Sequence, residues 1–334
     1  MLDGRKFSIL GDGGWAHTLS ILLHEKSFEV LIWSPSKEYA EYLKKYRKNP
    51  KYFPGVDIPK NIKITSSLKE AVDFSKYLLL VIPTKFLREV LRKLKKLNIY
   101  DKIFLSCSKG IEEKTFKRPS EIIKEFFEKP KLAVLSGPTI AREVVKKNPT
   151  LCIVASKERE ISSFWQKVLS TDYFRVYISN DIVGTELGGA LKNIIAIACG
   201  IVEGLNLGTN TKAALLSRGL VEIVRFCRKF GAKKETLFGL AGLGDLVTTC
   251  FNKHSRNRTV GELIAKGYRL KEIEKSMEMV AEGIYTVKAV YKISKKFNIE
   301  MPITTQVYKV LYKNKSPLKA IKELMRRRLK EERI

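Results

Sequence analysis

The sequence predicts an α/β domain on a doubly wound parallel sheet, residues 1–183, followed by an all-α domain, residues 184–334. Three observations predict it. Up to about residue 180, short apolar runs alternate with helical stretches; a glycine turn joins the first run to a helix; and after Gly184 the β-rich runs stop. The 334 residues also match two domains at roughly 150 residues each.

The β-rich runs lie at 7–10, 30–33, 78–82, 103–107, 132–135 and 151–155. They are apolar almost throughout, as strands covered on both faces by helices must be. Beyond Gly184 long segments carry helical spacing, punctuated by Gly200, Gly204, Gly208, Gly231 and Gly267. The segment 315–334, with eight basic and three acidic residues, reads as a terminal helix with a solvated basic face and a narrow stripe of Ala320, Leu324 and Met325. No aromatic residue is interleaved there for base stacking.

Hydrophobic residues make up 44% and charged residues 29%, which excludes an intrinsically disordered chain. The longest uncharged apolar run, 194–202, falls short of the ~20 residues that span a bilayer. The opening MLDGRKFSILG is interrupted by a glycine turn and does not read as a signal peptide. Five scattered cysteines without a CxxC pair point to neither zinc nor disulfides, so no metal is expected and a reducing cytoplasm is the expected setting. The net charge of +28 favours an anionic partner: nucleic acid, an acidic membrane surface or a small phosphorylated metabolite, with a merely solvated basic shell as the alternative.

The run 7–10 leads directly into Gly11, Asp12, Gly13, Gly14, Trp15 and Ala16, a GxGxxA placed between strand and helix. Gly11 permits the tight turn, Gly13 lets a pyrophosphate approach the backbone, and Ala16 lets the helix pack on the strand. A purely structural turn is the competing reading. The expected fold is therefore Rossmann-like and the expected cofactor NADP or NAD. The acid that binds an NAD ribose about 20 residues on is missing, because the second run ends in Trp33, Ser34, Pro35, Ser36 and Lys37. Ser34, Ser36 and Lys37 can instead contact a 2′-phosphate, so NADP(H) is expected to serve at least as well as NAD(H).

The segment 184–205 is a helix, small or apolar in its middle, with Lys192 inside it. Gly188, Gly189, Ala196 and Cys199 share its face and leave a hollow beside the ammonium. Burial lowers a lysine's pKa toward the range useful for acid–base work, whereas a lysine reaching the surface or a structural ion pair is the plain alternative. The glycine-rich GLAGLGDL at 239–246 presents one carboxylate, Asp245, which could equally be an N-cap. Next, Ser255, Arg256, Asn257 and Arg258 open a helix with a good N-cap, an amide and two guanidinium groups. That is a phosphate site, unless it is ordinary capping. His17, His24 and His254 are poor candidates for the proton donor, because two lie near the cofactor turn and helix and none has a recognisable acidic partner nearby in sequence.

Matched segments now accumulate in order: GDGGWAHTL at 11–19, NPKYFPGVDIPKNIKIT at 49–65, SKGIE at 108–112, VLSGPTIAREV at 134–144, GTELGGALKN at 184–193, GLAGLGDL, SRNR at 255–258 and EGIYT at 282–286. On these the chain resembles the NAD(P)-dependent glycerol-3-phosphate dehydrogenase family of the bacterial and archaeal soluble type. The resemblance implies reversible reduction of dihydroxyacetone phosphate to sn-glycerol 3-phosphate for phospholipid synthesis. It also implies a helical domain like that of 6-phosphogluconate dehydrogenase and a homodimer. Lys192 is implied as the proton donor to the alkoxide formed when the cofactor's hydride reaches C2. Lys109 and Asp245 are its implied catalytic companions. Gly137, Thr139, Ser255, Arg256 and Asn257, with Lys109, Lys192 and Asp245, are implied to bind substrate. Gly14, Trp15, Lys109, Ala141, Arg256, Val280 and Glu282 are implied as further cofactor contacts beside Gly11, Gly13, Ser34 and Lys37.

Asp12, Gly14, Ala16 and His17 depart from the family's usual residues, and Asp12 brings a negative charge to the pyrophosphate turn, so cofactor affinity is expected to differ. A β-hydroxyacid dehydrogenase would share the two-domain plan but would not need SRNR. A nucleic-acid-binding role is disfavoured.

Overall fold

A computed structural model describes residues 5–329 and 331–332 of the chain, which divides into two compact units. Among the described residues, the first comprises those up to 108 and 119–182, the second 109–118 and those from 183 onward. The expected first domain, 1–183, thus gives up an internal excursion. Residues 109–118 pack with the helical unit because Ile111 joins its core, Arg118 pairs with Glu186 at 2.6 Å and Lys288 with Glu113 at 2.6 Å.

The strands of the first unit are β1 Lys6–Leu10, β2 Glu29–Trp33, β3 Lys48–Asn49, β4 Phe53–Asp57 and β5 Lys63–Thr65. They continue with β6 Tyr77–Leu80, β7 Ile103–Ser106, β8 Lys131–Ser136, β9 Thr150–Ser156 and β10 Phe174–Ser179. Eight form one sheet in the order β10-β9-β8-β7-β6-β1-β2-β5, while β3 and β4 make a separate antiparallel pair. β1 is central, and the chain order reverses beside it between β1 and β6, the place where such sheets bind ligands at their strand ends. Helices cover both faces, so Phe7 and Ile9 enter one apolar cluster and Leu10 and Leu31 the other.

The sheet was expected to be parallel throughout, but β9 runs antiparallel to β8. Only a five-residue helix, Ala141–Val145, lies between them. β5 and β10 also escaped the sequence reading. β5 has three residues, and β10 alternates buried and exposed positions in its first half instead of being apolar throughout.

The second unit is built around the 23-residue helix Ile182–Gly204. By length and composition it could cross a bilayer, yet it is the core rod of this unit, with Ala190, Ile194, Ile197 and Cys199 at most 1% exposed. Gly200 does not interrupt it, whereas Gly204 ends it as expected. A Cβ on Gly200 would lie 1.9 Å from the Arg258 carbonyl oxygen, so the glycine lets helix Arg256–Ala265 cross at backbone distance. Buried Glu222 receives the backbone N–H groups of Ile303 and Thr304, the latter at 3.1 Å, and so caps helix Pro302–Tyr312. The expected terminal helix over 315–334 is confined to Pro317–Met325; Ala320 is buried but Met325 is 78% exposed. Lys330, Arg333 and Ile334 lie outside the described residues.

Candidate active site

In the sheet unit, the turn after β1 has the geometry a pyrophosphate needs. Gly11 has φ +134°, and a Cβ there would meet the Val81 carbonyl oxygen at 2.3 Å. Gly13, by contrast, faces open space, and no side chain caps the helix Gly14–Glu25 that it begins. That helix has no acidic residue in its first turn, so its N–H groups and dipole are available to an anion. Ala16 is fully buried against the core, as its small size requires, and the Trp15 ring lies 6.3 Å from Phe174. Ala141 opens the helix Ala141–Val145, and its carbonyl accepts from Thr18 at 3.4 Å. These residues fit a dinucleotide.

The end of β2 is not as expected. Ser34 is fully buried and its hydroxyl donates to the Asp12 carboxylate at 2.5 Å, so a carboxylate does stand at this tip. Burial raises the Asp12 carboxyl above its ordinary pKa, against the pull of the Ser34 hydrogen bond and the Lys51 charge. The Ser36 hydroxyl caps the next helix by accepting from the Tyr39 N–H, and Lys37 is exposed at its start. Gly137, after β8, has φ +129° and a position where a Cβ would lie 3.0 Å from Cys152; its carbonyl accepts from the Thr139 hydroxyl at 3.2 Å. Gly14 is equally confined, 3.1 Å from the Tyr52 carbonyl oxygen at the position of a Cβ.

In the helical unit, Lys109, Lys192 and Asp245 come together. The Asp245 carboxylate is 2% exposed, accepts from Lys109 Nζ at 2.6 Å, and pairs with Lys192 Nζ on its other oxygen. Lys192 also donates to the Thr249 hydroxyl at 2.7 Å, which leaves one of its three N–H groups for a ligand. Small residues make this possible, though not by leaving a hollow as expected. A Cβ on Gly188 would lie 2.6 Å from the Ala241 carbonyl oxygen, so the space is filled by the backbone of a π-helical turn, Leu240–Gly244. This close approach delivers Asp245, the first residue of helix Asp245–Phe251 and not its N-cap, to Lys192.

The electrostatics follow from burial. Desolvation drives the Lys192 pKa down to about 8, and Lys109 pushes the same way, while Asp245 opposes both. For Asp245 burial pulls upward, but the two ammonium groups together outweigh it and hold the carboxyl below its ordinary value. An amine titrating near 8 can give or take a proton at neutral pH.

Beside this cluster, Asn193 links it to the SRNR segment by accepting from the Asn257 amide at 3.0 Å. Asn257 also accepts from the Gly283 N–H at 2.9 Å, at the start of helix Glu282–Lys296. Ser255 is the expected N-cap, accepting from the Arg258 N–H at 3.4 Å. Exposed Arg256 gives one N–H to the Val280 carbonyl at 2.8 Å. Arg258 does not belong to an anion clamp, because its guanidinium is engaged by Glu203 and, at 2.6 Å, by Glu262. The sequence reading missed Thr249 and Asn193. Thr249 could have been found from its i+4 spacing to Asp245, which puts both on one helix face. His17 is buried, packs edge-on against Phe53 and faces the Asp57 carbonyl at 3.3 Å, a structural role.

A dinucleotide-binding sheet unit joined to a helical unit with a buried, tuned lysine defines the class of two-domain nicotinamide-dependent dehydrogenases. Within it, residues 6–162 match the model of the NAD-dependent glycerol-3-phosphate dehydrogenase N-terminus and residues 181–322 that of its C-terminus. The chain belongs to the NAD-dependent glycerol-3-phosphate dehydrogenase family. It is 45% identical over 322 residues to the glycerol-3-phosphate dehydrogenase [NAD(P)+] of Fusobacterium nucleatum, covering 96% of each chain. The corresponding Chlorobium phaeobacteroides protein is 44% identical, with 98% of this chain and 99% of that one covered. The crystal structure of glycerol-3-phosphate dehydrogenase from Coxiella burnetii superimposes with a TM-score of 0.94 at 36% identity, over 97% of this chain and 99% of that one.

Proposed function

We propose that this protein reduces dihydroxyacetone phosphate to sn-glycerol 3-phosphate with NAD(P)H, and runs the reverse oxidation, supplying the glycerol backbone of phospholipids. The observation that carries this reading is the buried Lys192, held by Asp245 and Thr249 and titrating at about 8, in a chain of this family. A bound nicotinamide supplies or receives the hydride. Lys192 gives its proton to the oxygen on C2 of the ketone, and takes it back in the oxidation. Asp245 holds the ammonium in place, and the Lys109 charge stabilises the developing alkoxide.

Arg256 takes the substrate phosphate with a bidentate-capable guanidinium at a helix N-terminus, aided by Ser255 and Asn257. Gly137 and Thr139 are assigned to substrate contact. Gly11, Gly13, Gly14, Trp15, Ser34, Lys37, Lys109, Ala141, Arg256, Val280 and Glu282 are assigned to the cofactor. The excess of cationic residues suits two anionic ligands better than nucleic acid. Five buried free thiols are consistent with a reducing cytoplasm, where the chain is proposed to act as a homodimer.

A rate assay offering dihydroxyacetone phosphate, short 2-keto acids and 3-keto acids with each reduced cofactor tests the reading. Turnover is expected with the phosphorylated ketone. Preference for a keto acid would place the protein among β-hydroxyacid dehydrogenases instead.

A further inference from the structure

We propose that Asp12 selects between the two nicotinamide dinucleotides and favours the one whose adenosine ribose carries a free 2′-hydroxyl. The proposal rests on the cofactor reading above and deepens it. In dinucleotide-binding sheets the acid that reads this hydroxyl follows the second strand. Here that position has Ser34, Pro35, Ser36 and Lys37, and the carboxylate reaches the same place from the glycine turn.

Two contacts fix it there. The Ser34 hydroxyl, fully buried at the end of β2, donates to the carboxylate at 2.5 Å, and the Asn49 amide donates to the Asp12 carbonyl oxygen at 2.8 Å. Asn49 is itself held by the Tyr39 hydroxyl at 2.7 Å and the Tyr52 N–H at 3.1 Å, so the β3–β4 hairpin braces the turn. A carboxylate has about four acceptor sites, of which the Ser34 hydroxyl and the Asp12 backbone N–H take two. The others can accept a ribose hydroxyl, whereas a 2′-phosphate brings further negative charge against them. Lys51 acts on the same carboxylate and softens the repulsion. The expected discrimination is therefore that of one charge-assisted hydrogen bond, roughly tenfold to a hundredfold. This reverses the expectation that NADP(H) serves at least as well, which rested on the absence of an acid in the second strand's tip.

The test is direct titration of the substrate-free protein with NADH and NADPH at pH 8, followed by nicotinamide fluorescence, for the wild type, Asp12→Asn and Ser34→Ala. Thermal melts without nucleotide establish that each variant is folded. NADH should bind the wild type at least about tenfold more tightly, and both variants should narrow the ratio of the two Kd values by several fold. Tighter NADPH binding by the wild type, or an unchanged ratio in both folded variants, overturns the proposal. Failure of the wild type to bind either nucleotide overturns the cofactor reading itself, a distinct result.

Discussion

Replacing Asp245 by Asn should move the pH dependence of catalysis and not merely lower its height. Asp245 is the only carboxylate in hydrogen-bonding contact with Lys192 among the described residues, and it opposes the two influences that depress the lysine's pKa. An opposite charge at this range is worth roughly 1–3 pKa units. Its removal should carry Lys192 from about 8 to about 5–7. Ketone reduction needs the protonated amine, so its rate falls as pH rises through the lysine's pKa. In the wild type about nine-tenths of Lys192 is protonated at pH 7; with the pKa moved to about 6 about one-tenth would be. Turnover in the reducing direction should then drop about tenfold at pH 7 and recover toward pH 5. Oxidation needs the neutral amine, so its rising limb should shift the same way. The substitution also leaves Lys109 and Lys192 facing each other without their shared counter-ion, at a cost of roughly 3–5 kcal/mol if both stay charged, so a thermal melt accompanies the kinetics. A folded variant that is slow at every pH, with its limb still near 8, would refute the claim that Asp245 tunes Lys192.

Exchanging Arg256 for Ala should raise KM for dihydroxyacetone phosphate by about ten- to a hundredfold in steady-state kinetics, with less effect on kcat. An unchanged KM assigns the phosphate elsewhere. Arg258→Ala, in contrast, should lower thermal stability and leave KM nearly alone, because its guanidinium is engaged by Glu203 and Glu262. Gly200→Ala should destabilise the helical unit by about 1–3 kcal/mol in denaturant unfolding, since the new methyl would overlap the Arg258 carbonyl. Unaltered stability would mean that the two helices can separate at little cost.

The two-unit plan was legible because periodicity reports burial, and the central strands are buried on both faces. Strand direction was not, since the residues of β9 fit either orientation, and the short helix before it decides. The burial of Lys192 was legible from its apolar surroundings. Its neighbourhood was misjudged: small residues at Gly188 signal a hollow or a close backbone approach equally well, and only the path of Leu240–Gly244 distinguishes them. Arg256 and Arg258, two residues apart, look alike in sequence and differ in space, because residues two apart on a helix face different ways and Glu203 lies on only one side. Asp12 was read as an intrusion into the pyrophosphate turn, for nothing local shows that Ser34, 22 residues on, takes its carboxylate.

The central claim is that the amine of Lys192 carries the proton, and the most direct measurement is the turnover of Lys192→Ala with saturating dihydroxyacetone phosphate and reduced cofactor, in protein shown to bind nucleotide as the wild type does. A fall of at least about a hundredfold is predicted, the low end of what general acid catalysis contributes. Turnover within a few fold of wild type would assign the proton to another group and contradict the account.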